Sequence, residues 1–488
     1  MQAWAQLLFL RQINRQKLKS VSSHKSLIVN ILIFMFEWKR TDPIMKTSGP
    51  HLSLIFILVL CSNLCAQENW SRFRGPNADG VVDNDPRLPT KWTKTENILW
   101  KSDIPGLGWS SPVIWGDKVF LTTVASDGQF EKPKPGLYNG EGRKEIPGGT
   151  HRWLVYCLDI NTGHTLWKRE VHKGTPPVGR HPKNTYASET PCVDGERLYA
   201  LFGDLGLYCF DHNGTPLWES MIHPEETMRD YGAAASPVVH ENQVIIQYDN
   251  AKSSFITALD SKTGKQRWRT PREEKTTWAT PFIWKNELRT EVVTAGRKRI
   301  RSYDLNGNVL WSMEGRMSVL TIPSPFAANG LLYVTSGYFQ DRRRPVWVIQ
   351  SGASGDISID ENQRKGAFVE WHHPKLGPYN TTPIVYGEYY YTLLDQGMMT
   401  CHHAVTGEEI YDRTRFPLYT SFTASPWAYN GKLFGLAENG KTFVLKAGPE
   451  FEIIETNDLD ELCIATPSIA QGKLFIRTAS SVYCITNK

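Results

Sequence analysis

From residue 111 onward, short apolar runs alternate with polar turns that carry glycine or asparagine. VIWGDKVFLTT (113–123), CVDGERLYALFG (192–203), IVYGEYYYTLL (384–394) and SIAQGKLFIRT (468–478) each read as two β-strands joined by a tight turn. Every such pair follows a hydroxyl residue and a proline: Ser111-Pro112, Thr190-Pro191, Ser236-Pro237, Thr280-Pro281, Ser324-Pro325, Thr382-Pro383, Ser425-Pro426 and Thr466-Pro467. A second hairpin follows, first as LDINTGHTLW (Leu158–Trp167). It returns as CFDHNGTPLW (Cys209–Trp218), ALDSKTGKQRW (Ala258–Trp268) and SYDLNGNVLW (Ser302–Trp311). In a weaker copy, CHHAVTGEEIY (Cys401–Tyr411), His403 replaces the Asp and Tyr411 the Trp. The Asp ahead of each turn is placed to accept hydrogen bonds from turn amides, a role expected of His403 in its copy. The Trp offers a large apolar plate for packing one repeat on the next.

From the second landmark to the last the spacings are 46, 44, 44, 58, 43 and 41 residues, after a first interval of 79. Four short strands with three turns occupy such a period, that of a propeller blade. The expected fold is therefore all-β, an eight-bladed propeller. The long intervals carry insertions read as loops: Ser126–Thr150 and Lys173–Ala187 in the first blade, Gly352–Gly366 in the fifth. The eighth repeat ends at Tyr483-Cys484-Ile485 without its Trp-bearing strand, and Asn97–Ile104, with Leu99-Trp100, supplies one that no blade precedes. Pairing of this N-terminal strand with the last blade closes the ring and removes an exposed sheet edge. Residues 67–96 then form an N-terminal extension, and 97–488 the propeller.

The formal charge of +5 resides in the leader. Residues 1–66 hold eight Lys/Arg and two Asp/Glu, which leaves 47 basic and 48 acidic residues, or −1, in the body. A near-neutral body carries no nucleic-acid footprint. Met45-Lys46, the apolar Leu52–Leu60 and Ala66 read as an export signal beginning near Met45, with 1–44 upstream of the true start. Membrane association follows only if that segment is retained as an anchor. The expected location is periplasmic or secreted. Cys157, Cys209, Cys401 and Cys484 fall at one position of the repeat and read as small core residues. For Cys192 and Cys463, pairing stays open.

The DxxTGxxxW hairpins and hydroxyl-proline strand starts resemble the quinoprotein, or PQQ-like, β-propeller repeats over about Gln67–Lys488. NWSRFRGPNADG (Asn69–Gly80), HPKNTYASETP (His181–Pro191) and GASGDIS (Gly352–Ser358) are similar to its secreted bacterial branch. The resemblance implies one of two functions. Some members carry pyrroloquinoline quinone (PQQ) and Ca²⁺ in the central funnel and oxidise alcohols or sugars; others are non-catalytic and bind partner proteins. The dehydrogenases' adjacent-cysteine pair is absent. Trp278 is the candidate to stack under a quinone, with Glu189 and Asn380 as polar candidates, but no spacing identifies a ligand set. No catalytic residue and no metal ligand is assigned; His372-His373 and His402-His403 each point to opposite faces of a strand.

The first strand of each blade lines the channel, so the loops leading into the Pro landmarks crowd one face. They place Trp109, Tyr186, Arg229, Asp230, Tyr379 and Phe422 there as candidate partner-binding residues. The leading expectation is a non-catalytic binding or scaffold protein outside the cytoplasm, with no cofactor and with an envelope or extracellular protein, or a small ligand, as partner. The alternative is a PQQ/Ca²⁺-dependent dehydrogenase.

Overall fold

The apolar runs form strands where the alternation places them. A computed structural model describes residues 69–128, 132–138, 148–417 and 420–487. The expected export signal lies outside the described residues. Val113–Trp115, Lys118–Ser126, His151–Asp159 and Thr165–Gly174 make blade 1, an antiparallel sheet in sequence order. The inner strands of blades 2 to 8 begin at Cys192, Val238, Phe282, Phe326, Ile384, Trp427 and Ser468. The eighth sheet takes its outer strand from the other end of the chain. Ile98–Asp103 pairs antiparallel with Ser481–Ile485, setting Lys101 opposite Tyr483 and Trp100 opposite Cys484. The chain is an eight-bladed propeller closed head to tail.

The repeated residues do repeated work. In the DxxTG turns, Asp159 Oδ1 accepts from the amides of Asn161 and Thr162 at 2.9 and 2.8 Å. His403 substitutes as read, its Nδ1 accepting from the Thr406 amide at 3.2 Å. The Trp plates dock between blades. Trp218 lies over Gly264 of the next blade and donates its Nε1–H to Ser261 O at 3.1 Å. Trp100, Trp167, Trp268 and Trp371 pack in the same way on Gly163, Gly214, Gly307 and Gly407. Trp100 belongs to the closing strand, so the ring closes with the same joint that builds it. Tyr411, which replaces Trp in blade 6, instead meets Phe451 edge-on, with ring centroids 6.1 Å apart.

Blade 4 departs from the loop reading of 352–366. Blade 5 has no short turn on which Trp311 can dock. Within that insertion Gly355–Asp356 forms a fifth, parallel strand on Val309–Glu314, pairing Trp311 with Gly355. Trp311 is fully buried beneath it and donates to Glu291 Oε2 at 2.7 Å. All six cysteines of the described residues are buried and free, including Cys192 and Cys463.

From Thr190 to Thr466, the hydroxyl of each Ser-Pro or Thr-Pro landmark accepts the amide of the landmark before it. Ser111 N donates to Thr190 Oγ1 at 3.0 Å, and Thr190 N to Ser236 Oγ at 2.9 Å. The circuit continues through Thr280, Ser324, Thr382 and Ser425 to Thr466. A proline after each hydroxyl has no N–H to compete. The circuit is open where blade 8 meets blade 1. There Ser111 Oγ is buried without a partner, and the buried Arg477 guanidinium bonds Ser110 O and Oγ at 3.0 and 2.6 Å.

The extension crosses the end of the channel toward which the inner strands run. Trp70 exchanges both backbone hydrogen bonds with Ile114 of blade 1, and Ser71 O accepts from Val193 of blade 2. Arg74, 1% exposed, then reaches the carbonyls of Thr382, Pro383 and Pro426 in blades 6 and 7 at 3.1, 2.9 and 3.3 Å. Gly80 and Val82 pair with Ala428 beyond it.

Candidate functional site

At the opposite end the channel opens into a cavity of about 530 Å³, within the range of about 300–1,000 Å³ usual for ligand sites. Its walls come from the loops that lead into the inner strands. Trp109, Arg229, Trp278, Tyr379 and Asn380, singled out from the sequence, all line it. Phe73 of the extension joins them, and the hydroxyl circuit runs around the same wall. Trp109 and Trp278 are oriented by their ring nitrogens, which donate to Lys183 O and Gly232 O, both at 2.7 Å.

Four of the proposed residues sit elsewhere. Phe422 is fully buried between Phe416 and Phe443, at centroid distances of 5.1 and 6.2 Å, and cannot meet a partner. Tyr186 is buried against Trp153 and His151, with its hydroxyl on Val178 O at 2.8 Å and Arg180 over its ring. Both are corrections with one cause: their loops turn back between blades. Glu189, a candidate for cofactor contact, is 2% exposed and accepts from Gly203 N at 3.1 Å, outside the cavity lining. Asp230 is half-buried in the short turn Met228–Asp230 and is likewise not part of the lining.

Residues the sequence reading passed over complete the mouth. Tyr338, Phe339, Gln340 and Asp341 come from the link between the second and third strands of blade 5. Gly136, Leu137 and Tyr138 come from the corresponding link of blade 1. These two links, 336–345 and 127–150, are longer than those of the other blades, and that length was the available signal. Rings meet along the wall: His181 and Tyr231 edge-on at 4.7 Å, Tyr231 and Trp278 at 6.2 Å, Tyr338 and Tyr379 edge-on at 5.0 Å. Burial pushes His181 down to about 4, so its ring is neutral near pH 7.

The charges around the cavity divide into engaged and unengaged. Lys183 Nζ pairs with the buried Glu438 Oε1 at 2.5 Å, and Thr423 Oγ1 and Gly136 N donate to the same carboxylate at 2.6 and 2.7 Å. Asp341 Oδ2 accepts from Ser318 Oγ and from Val319 N at 2.7 Å. Arg229 is exposed, stands among the phenols of Tyr231, Tyr338 and Tyr379, and has no carboxylate within ion-pair distance among the described residues. It is held there by an uncommon backbone, with φ of 54° at both Arg229 and Asp230.

Calcium takes six to eight oxygen ligands, several of them carboxylate. The carboxylates of Asp341 and Glu438 are already bonded to protein donors, and among the described residues no three His, Cys, Asp or Glu side chains gather as metal ligands. The donor set does not fit a calcium–quinone site.

Glu189 carries a separate consequence. Burial pushes it up to about 7, and Asp204 is raised well above the carboxylate range by burial and by Glu189 beside it. The folded state holds a proton that the unfolded chain releases, so the stability it contributes is present at low pH and lost as pH rises toward 7. Raising the pH from about 5 to about 8 is expected to cost about 2–3 kcal/mol through Glu189. Glu189→Gln is expected to remove that part of the slope in denaturant midpoints measured against pH.

Residues 94–298 match the PQQ_2 family model, described as outer membrane protein assembly factor BamB. BamB from Moraxella catarrhalis superposes with a TM-score of 0.53 at 13% identity, covering 79% of this chain and 98% of its own. The quinohemoprotein alcohol dehydrogenase of Comamonas testosteroni gives 0.53 at 12% identity, covering 88% and 82%. That of Pseudomonas putida HK5 gives 0.52 at 11%, covering 86% and 80%. No curated protein sequence matches the chain. At these identities the likeness is one of fold.

Proposed function

We propose that the chain, which matches the PQQ_2 family model over residues 94–298, is a non-catalytic binding protein of the cell envelope or exterior, with the funnel as its ligand-facing surface. The observation that carries this reading is the cavity itself. It is closed at one end by the chain's own N-terminal segment, lined by aromatic rings, polar groups and the Arg229 guanidinium, and flanked by carboxylates already bonded within the protein. Such a surface suits contact with a ligand or a protruding segment of a partner. The export signal read in residues 45–66 supports the location.

The alternative, a quinone-dependent dehydrogenase, shares the fold but asks for metal ligands that these side chains do not supply. Titration of the purified protein with PQQ and Ca²⁺ separates the two. No stoichiometric change in cofactor absorbance and no dye-linked oxidation of alcohols or sugars is the expected result. Tight cofactor binding with turnover overturns the proposal.

A further inference from the structure

The hydrogen bonds not yet made inside the funnel describe its ligand. Each of the seven hydroxyls from Thr190 to Thr466 already accepts an amide, as described above. A Ser or Thr hydroxyl in that position still has one O–H to donate. Among the described residues none of the seven finds an acceptor within hydrogen-bonding distance, and all seven line the cavity. The mouth adds Arg229, whose guanidinium bonds the Tyr231 phenol and has no carboxylate partner among the described residues, so that donors remain free. The carboxylate, imidazole and amide acceptors nearby are mostly taken. Glu438 and Asp341 are engaged, His181 Nδ1 takes the Lys183 amide, and Asn184 Oδ1 is held by Ser188 and Thr185. The Asn380 side-chain oxygen remains.

A ring of unspent hydroxyls with a guanidinium at its mouth selects a ligand rich in hydrogen-bonding oxygens and anionic near the mouth. The rings that interrupt the donors require that ligand also to present flat apolar faces. Aromatic residues beside polar groups suit pyranose rings, whose C–H faces pack on them while their oxygens face the hydroxyls.

We propose that the funnel binds an acidic carbohydrate, its sugar rings against Trp109, Trp278 and Tyr379, its acceptor oxygens on the hydroxyl circuit, and its carboxylate or sulfate on Arg229. This rests on the binding-protein reading above and names the ligand class for the same site.

The test uses the purified chain and three probes of equal length: an oligogalacturonate, a sulfated galactan oligosaccharide and the neutral galactan oligosaccharide. Binding is read by calorimetry and by the fluorescence of the two wall tryptophans. At least one acidic probe is expected to bind about tenfold or more tighter than the neutral one, as befits a hydrogen bond to a charged group. Which acidic probe binds distinguishes carboxylate from sulfate. Arg229→Gln, at an exposed position, is expected to remove that preference. Asn380→Asp, nearly isosteric, places an anion in the wall and is expected to weaken acidic probes while sparing the neutral one.

Equal affinity for neutral and acidic probes overturns the proposal, as does acidic binding that both variants leave unchanged. Should no sugar bind while an envelope-protein partner is captured and lost with Arg229→Gln, the ligand class falls and the binding-protein reading stands. Should sugars fail and PQQ with Ca²⁺ bind and turn over, both fall.

Discussion

Arg74→Ala is expected to lower the unfolding free energy by about 3–5 kcal/mol, because it strips the donor from several buried carbonyls at once. The guanidinium is buried, and it satisfies the carbonyls of Thr382, Pro383 and Pro426 along with those of Ala78 and Asp79 in its own segment. Each carbonyl left buried without a donor costs about 1–3 kcal/mol unless water reaches it. Arg74→Met keeps most of the stem but none of the donors. If the hydrogen bonds dominate, Met loses nearly as much as Ala in denaturant unfolding. If packing dominates, including the contact with Phe326 5.8 Å away, Met recovers most of the loss. Hydrogen exchange supplies a second measurement: amides of 69–82 are expected to lose protection in either variant while the outer strands keep theirs. A change below about 1 kcal/mol in both variants would mean that the extension is held by its backbone pairing alone.

Gly264→Ala tests the joint between blades, and Gly387→Ala is its control. Both glycines have positive φ, 70° and 64°. A left-handed alanine costs about 1–2 kcal/mol at either site. The surroundings separate them. A methyl at 264 would lie 2.5 Å from Trp218 Cε3, whereas nothing stands within 4 Å of one at 387. Overpacking adds about 1–3 kcal/mol, so Gly264→Ala is expected to destabilise by about 3–4 kcal/mol and Gly387→Ala by about 1. Adding Trp218→Ala to Gly264→Ala relieves the clash, so the double variant is expected to lose less than the sum of the singles. Strict additivity would show that the ring and the turn do not press on one another.

The blades were legible because their signals are local and repeat for a mechanical reason. The landmark hydroxyl takes an amide from the preceding blade, and the Trp covers the turn glycine of the following one, so both residues return at the blade period. The closing strand was legible for the same reason, since Trp100 carries the joint's residue pattern outside any complete blade. The strand at Gly355–Asp356 was not, because two residues in a polar insertion carry no alternation to read. Side-chain direction in the loops was half legible. Tyr379 and Phe422 occupy equivalent stretches before their prolines, yet one lines the funnel and the other fills the space between blades 6 and 7. That choice depends on loop path and on neighbours far away in sequence. Lys183 and Glu438, 255 residues apart, belong to the same class of interaction. The mouth residues Tyr338 and Asp341 lie on a link that aromatic spacing before the landmarks does not sample.

The head-to-tail pairing also sets the step that completes this molecule. Asp103 and Ser481 face one another across 378 residues of chain. Until that pair forms, Ile98–Asp103 has no sheet to join, and the arc of finished blades presents an open face at each end. Such edges invite pairing with other chains. A chain arrested before closure would therefore be a sticky crescent, and chaperone demand should persist until the two strands meet.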